Sequence, residues 1–559
     1  MRTSLKRVAR SMTAALPLIP RELLYSINDW RVTRDSLKYV PALHRLPVVE
    51  GEKRTMKICF NLVRGWIGPP SKLEALFAKG LEEYEHAEAV VLWDDGVLRH
   101  CDTRTSQEPR PQRSICRKCR RQAGLLLNRM KLKHRPYSEL INPDVLASVE
   151  ARILNQPLSS EDIRMRMPFP HDGIDISEYA HASTVRYYQT GLIPESAEAV
   201  QYYRDCLVNA AISIEVARSV LEQEKPDLIV TSHAIYTTWG AAYEYWRKNG
   251  QNVLVYGQSG AARGRVWFLR NNYIQNLWKE PLRAQQEAVA TMLTRDQVRF
   301  VDSYLAARAE MREGDTEIYD MSPNHEASTD VHSDESPAEQ YALFPNVPWD
   351  AAVIGRSSVF SSMIDWVVTT ARYFKKHPEK RLFIRVHPSE NTLMRSTATL
   401  EETLRVHYPD ALDADNIRVI SAGDPVSSYA LARDVDVSLV FNGTLGLELA
   451  SQGLPVIVAA KAHYAMVIEA PSTREEYFEL LDEPRRVKQR AVEIREQALR
   501  YSYWYFCGFP VHIPHLGDRH WLDISLAEYW GNDERAAAAW EGLAPALRII
   551  ADAALENAR

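Results

Sequence analysis

The stretch Asp434–Tyr464, DVDVSLVFNGTLGLELASQGLPVIVAAKAHY, allows few ways of folding. Val435, Val437, Leu439 and Phe441 fall on alternate positions, the period of a half-buried strand. Asn442-Gly443-Thr444 breaks that period, and Leu445, Leu449 and Ala450 then recur at helical spacing. Gly453 fits just past the helix end, Pro455 follows it, and Val456-Ile457-Val458 predicts a short buried strand. The stretch therefore reads as a βαβ unit with a small, polar turn at the mouth of its helix. Backbone N–H groups and the positive end of the helix dipole meet at that mouth, so an anion such as a phosphate is the expected occupant.

The same alternation of strand and helix recurs on both sides of this unit. Strands are predicted at 57–63, 89–93, 228–232, 253–256, 341–345, 382–386 and 417–420. Helices are predicted at 71–84, 239–248, 359–375, 399–407 and 425–432, with a mostly helical region over 137–224. The fold class is α/β, in two halves without an internal sequence repeat. The expected divisions are a basic leader (1–55), a first α/β domain with a helical insertion (56–312), an acidic linker (313–340), a second α/β domain (341–485) and an aromatic-rich helical tail (486–559).

Hydrophobic content of 45% and charged content of 25% are those of an ordinary globular protein, and the net charge of −5 conceals an uneven spread. Residues 1–55 carry eleven Lys or Arg against five acids, and residues 99–135 twelve against two. Residues 313–340 carry nine acids and no Lys or Arg. The basic segments suit an anionic membrane surface, a phosphorylated lipid or an acidic glycan, and no nucleic acid is expected as a partner. No apolar run approaches the length of about 20 residues needed to span a bilayer. Pro17 and Pro20 break the apolar run near the start, which argues against a signal peptide. Residues 3–16 read either as a basic amphipathic helix on a membrane or as a locally packed terminus, so the expected location is the cytoplasm, peripheral to the inner membrane face. Cys101, Cys116 and Cys119, with His100, are candidate zinc ligands, one pair short of the doubled C-x-x-C signature; reduced thiols are the alternative.

Ligands of open parallel sheets bind beyond the carboxyl ends of the strands. In the second half those ends carry Arg385, His387 and the Asn442-Gly443-Thr444 turn, with Glu448 one helical turn after Thr444. A phosphate held by Thr444 and His387, with Glu448 accepting from ribose hydroxyls, describes a nucleotide site. In the first half, His233, Tyr236 and the Gly257–Gly264 loop occupy equivalent positions.

The run Arg385-Val386-His387-Pro388-Ser389-Glu390, followed by SSYALARDVDVSLVFNGTLGLELASQGLPVIVAAKAHY, resembles the capsule polysaccharide biosynthesis proteins. These are similar to the β-Kdo transferases of capsule export and, more distantly, to the CDP-glycerol glycerophosphotransferases. Phe344-Pro345-Asn346-Val347-Pro348-Trp349-Asp350 and Pro471-Ser472-Thr473-Arg474-Glu475-Glu476-Tyr477 extend the likeness over about 340–485. A looser likeness covers 225–270. The resemblance implies a GT-B-like architecture, two Rossmann-like domains facing across a cleft, with the donor nucleotide held mainly by the second. It assigns donor-phosphate contacts to His387 with Pro388 and to Thr444 within the turn Asn442, Gly443, Thr444, Gly446. Asn442-Gly443-Thr444 departs from relatives that place two adjacent hydroxyl residues there.

The resemblance further implies an inverting glycosyltransferase that needs no metal or other cofactor. Its substrates would be a CMP- or UDP-linked sugar and a glycan or lipid-linked glycan. The proton acceptor is expected in the first domain, at His233 or at Asp94-Asp95, where the Asp-Asp-Gly context equally suits a solvated turn. A sugar-nucleotide 2-epimerase and a non-catalytic binding protein at the membrane are the alternatives.

Overall fold

The computed structural model describes residues 56–64, 69–108, 111–257, 260–310, 339–350, 359–391, 396–513, 529 and 534–555. The basic leader and the acidic stretch up to residue 338 lie outside the described residues.

Two sheets organise the chain. The first contains β1 (Lys57–Val63), β2 (Glu88–Trp93) and β3 (Lys133–Pro136). A two-strand hairpin apart from the sheet, β4 (Pro170–His171) with β5 (Ile174–Asp175), comes next. The sheet resumes with β6 (Leu228–Thr231), β7 (Val253–Gly257) and β8 (Arg265–Arg270). The second contains β9 (Glu339–Phe344), β10 (Lys380–Arg385), β11 (Ile417–Ile420), β12 (Val437–Val440) and β13 (Val456–Val458). A last short strand, β14 (Val511–His512), returns to the first sheet.

The parallel part of the first sheet runs β3-β2-β1-β6-β7, and the whole second sheet runs β11-β10-β9-β12-β13. Both are one strand order: the chain works outward from the first strand, then crosses back to its other side. Each sheet thus has a switch point, between β1 and β6 and between β9 and β12, where a crevice opens at the carboxyl ends. Two such units, helices on both faces of each sheet, make the GT-B-like two-Rossmann fold.

The helices that matter for the site are α1 (Pro69–Tyr84), α2 (Gln112–Arg129), α3 (Ser177–Tyr188), α4 (Ala197–Gln223), α5 (Ala241–Lys248) and α6 (Arg295–Ala309) in the first half. In the second half they are α7 (Met363–Lys376), α8 (Leu400–His407), α9 (Ser428–Asp434), α10 (Thr444–Ser451) and α11 (Pro484–Tyr503), and α12 (Glu534–Leu555) closes the chain. The structure starts α1 two residues earlier than periodicity predicts and α7 four residues later. It also adds β3, β8 and β14, whose short or charged sequences carry little strand signal.

The tail crosses back. After α11 the chain makes a π-helical turn, Trp504–Gly508, and pairs β14 antiparallel to β8. Trp540, Leu543, Leu547 and Ile550 of α12 then pack with Leu76, Phe77 and Leu81 of α1 in one core. A second core is continuous between the halves, running from Tyr304 and Leu305 through Tyr501, Tyr505 and Phe506 to Leu447 and Tyr464. Thr397 N–H also donates to the carbonyl of Gln189 across the halves, at 2.9 Å.

Candidate functional site

A cavity of about 310 Å³ opens at the switch point of the second sheet. Its second-half wall comes from the ends of β9 (Asn346, Asp350), β10 (His387, Pro388), β12 (Asn442, Gly443, Thr444) and β13 (Lys461, His463). Gln275, Trp278 and Arg308 contribute from the first half, and Tyr505 from the crossing tail.

The helix mouth takes the expected form. Gly443 is the N-cap of α10, has no side chain to offer, and leaves the first-turn amides without a side-chain cap. By contrast α7, α8 and α9 are capped by Ser362, Thr399 and Ser427. Gly446 serves packing: a Cβ there would sit 2.6 Å from the Tyr464 hydroxyl. That hydroxyl donates to the Gly443 carbonyl at 2.7 Å, tying the mouth of α10 to the end of β13.

His387 Nδ1 accepts from the Ser389 N–H at 3.2 Å, so the neutral ring carries its proton on Nε2. Burial, with Arg385 beside it, lowers its pKa to about 4. At neutral pH it is an uncharged donor.

Arg385 and Glu448 are occupied differently from expectation. The Arg385 guanidinium donates to the carbonyls of Val426 (3.1 Å), Val386 (3.2 Å), Asp424 (3.2 Å) and Ser421. It lines the cavity, but its donors hold the loop that feeds α9. Burial depresses its pKa to about 10. Glu448, 1% exposed, accepts from Arg308 Nη2 at 3.1 Å and from the Tyr429 hydroxyl. It therefore anchors a cation, and Arg308 Nη2 also reaches Thr444 Oγ1 at 3.5 Å. Arg308 lies over Phe506, its guanidinium carbon 5.0 Å from the ring centre.

Arg308, Lys461 and His463 are residues that sequence reasoning missed. Lys461 Nζ sits 4.5 Å from the Trp278 ring centre, and His463 stacks on Tyr505 at 4.0 Å. The strand-end rule applied to β13 points to both. Arg308 sits 136 residues from Thr444 with no local signal.

The first-half candidates fall outside this cavity's lining. Asp94 Oδ1 accepts from the backbone N–H groups of Gly96, Val97 and Leu98, at 3.0, 2.8 and 3.2 Å. Burial raises Asp94 to about 6 against those bonds. Asp95 accepts from the Ser138 amide (3.0 Å) and hydroxyl (2.5 Å). Both aspartates build the turn after β2. His233, at the end of β6, shares a hydrogen bond with Ser232 Oγ at 2.9 Å and lies 4.9 Å from the Trp239 ring. Burial, then Arg64 and Arg186, lower its pKa to about 3.

Cys101 Sγ pairs with Thr103 Oγ1 at 2.9 Å, and Gln112 donates to Cys116 Sγ at 3.1 Å, one helical turn away on α2. Among the described residues no three His, Cys, Asp or Glu side chains group so as to hold a metal ion. No described helix is long and apolar enough to cross a membrane.

No family model matches the chain, and no curated protein matches it. Solved structures with similar coordinates include the β-Kdo 2,4 transferase KpsC of Thermosulfurimonas dismutans, at 12% identity over 53% of this chain and 84% of that one, TM-score 0.34. The UDP-GlcNAc 2-epimerase of Neisseria meningitidis bound to UDP-GlcNAc gives 12% over 80% and 97%, TM-score 0.23. The S. aureus MnaA–UDP structure gives 14% over 82% and 94%, TM-score 0.26. Likenesses this low carry no argument about activity, so the assignment rests on the strand orders of this chain itself. By those orders it is a GT-B-like protein of two Rossmann-like halves.

Proposed function

We propose that the protein is a glycosyltransferase that transfers a sugar from a nucleotide donor bound at the second-half switch point. The observation that carries this is the convergence of anion-binding groups there. First-turn amides of α10 that no side chain caps, the Nε2–H of His387, the Thr444 hydroxyl, Arg308 and Lys461 converge on one cavity. Such donors stabilise charge developing on a leaving phosphate, and their prior positioning is what makes them effective. The donor is a CMP- or UDP-linked sugar, the acceptor a glycan or lipid-linked glycan, and the setting surface-polysaccharide assembly.

The acceptor approaches from the first half. His233, held neutral with a pKa near 3, is a poor match for a proton acceptor at neutral pH, so its part is to orient a hydrogen bond. Asp94, at about 6, has the better value but is committed to its turn.

Calorimetric titration of CMP, CDP and UDP tests the donor site. At least one is expected to bind, and His387→Ala to weaken it about tenfold, the loss of one charge-assisted hydrogen bond. Absence of binding by all three at millimolar concentration sinks the donor site. Conversion of UDP-GlcNAc by the protein alone, with no acceptor, would instead make it an isomerase.

A further inference from the structure

The first-half wall carries cationic groups that neither the donor site nor the core uses. Arg64, just after β1, lies over Trp239, its guanidinium carbon 4.2 Å from the ring centre. Arg186, on α3, lies over Trp349 at 5.1 Å. Among the described residues neither guanidinium donates a side-chain hydrogen bond or forms an ion pair, and Arg64 Nε and Arg186 Nη1 are closed off from water. Among the described residues Trp239 Nε1 is equally enclosed and has no acceptor. Burial first, then Arg64 and Arg186, depress the pKa of His233; burial depresses that of Arg64, and Arg186 adds to it against Cys101 and Asp102. Arg64 and the neutral His233 ring share the Trp239 indole, and Arg186, over Trp349, is close enough to act on both.

The fold fixes this grouping. Trp239 belongs to a π-helical turn, Tyr236–Gly240, that interrupts the start of α5. Tyr236 opens it at φ +66°, a backbone conformation costly for a bulky side chain. Ser183 of α3 holds the turn, accepting from the Thr237 N–H at 3.0 Å, and Thr238 donates to Asp102 at 2.6 Å. Asp102, engaged by a hydroxyl, and Asp350, beside Trp349, are the carboxylates near this turn. Arg186 follows Ser183 by one helical turn, and Trp349 beneath it belongs to the second half, next to Asp350 of the donor cavity. The link from this group to the donor cavity runs through Arg186 and Trp349 to Asp350.

Buried donors left unsatisfied are costly, and a guanidinium presents a planar fork suited to a two-oxygen anion. We propose that Arg64, Arg186, the Trp239 N–H and His233 form an oxyanion subsite on the first half, which holds a carboxylate or phosphate group of the acceptor substrate. The acceptor is accordingly acidic. Assigning the anion to the acceptor rests on the transferase reading; the binding of an oxyanion does not.

The test uses the wild-type chain, modified at arginine with phenylglyoxal and mapped by mass spectrometry. Inorganic phosphate and glucuronate are the two probes. Protection of Arg64 and Arg186 by either supports the subsite: by phosphate alone, a phosphoryl-bearing acceptor; by glucuronate alone, a uronate-type one. No protection by either at 50-fold their ordinary working concentrations, or protection by CMP or UDP alone, overturns it, the latter giving these arginines to the donor. In parallel, Arg64→Gln/Arg186→Gln is expected to lose oxyanion affinity at least tenfold while nucleotide affinity stays unchanged. Unchanged oxyanion affinity in that variant would equally overturn the proposal. If the variant does not fold, the protection map on the wild-type chain decides. Oxyanion protection without any nucleotide binding would leave the subsite standing and remove the transferase.

Discussion

His387, Arg385 and Glu390 stand within six positions, yet the fold gives them three separate tasks. His387 faces the cavity, Arg385 holds carbonyls, and Glu390 is buried with Oε2 accepting the Leu400 N–H at 2.9 Å, at the first turn of α8. Burial raises the Glu390 pKa from 4.5 to about 8. The unfolded chain releases this proton near pH 4.5 and the folded chain only near 8. Its contribution to stability is thus fully present below pH 4.5 and declines as pH rises to 8. Glu390→Gln, which cannot titrate, is expected to flatten that decline, as read from urea midpoints at pH 5, 6.5 and 8. Equal pH slopes in the two proteins would refute the assignment.

At the scale of the element, α10 shows how a helix is aimed. Gly443 opens its mouth, Gly446 lets it approach β13, and Gly453 at φ +76° ends it. In an exposed helix Gly→Ala gains roughly 0.5–1 kcal/mol. At Gly446 the added methyl meets the hydroxyl of a fully buried, hydrogen-bonded Tyr464, and such overpacking costs about 1–3 kcal/mol, so the loss wins. Gly446→Ala is therefore expected to lower the melting temperature and weaken nucleotide binding together. Tyr464→Phe in the same chain removes the oxygen in contact and is expected to recover part of the stability. The βαβ reading placed this helix and its ending correctly because glycine, proline and apolar period all agree there. Periodicity gave no hint that Trp239 sits in a π-helical turn, since that depends on what packs around it.

At the scale of the molecule, the tail makes two sheets one body. Fully burying Trp540, Leu543, Leu547 and Ile550 contributes about 1.5–3 kcal/mol each, against a typical domain stability of about 5–15 kcal/mol. A chain ending at residue 533 is expected to expose the α1 face and to aggregate or melt well below the full chain, by light scattering and calorimetry. A truncated chain of unchanged melting temperature would show that α12 is dispensable.

Local sequence was enough for the α/β class, for most strands and for the helix mouth at Asn442-Gly443-Thr444, because hydrophobic period and turn chemistry act over a few residues. His387 and Thr444 follow β10 and β12, which flank β9, so the order of the sheet brings them to one mouth. What Glu448 and Arg385 do was decided by burial: a polar side chain taken out of water must find partners, and those partners, Arg308, Tyr429 and the 421–426 carbonyls, arrive by tertiary folding. The pairing of Arg308 with Glu448 spans 140 residues and joins the two halves. No window of sequence contains it, because charge pairing at that separation is fixed only when both sheets and the tail have packed.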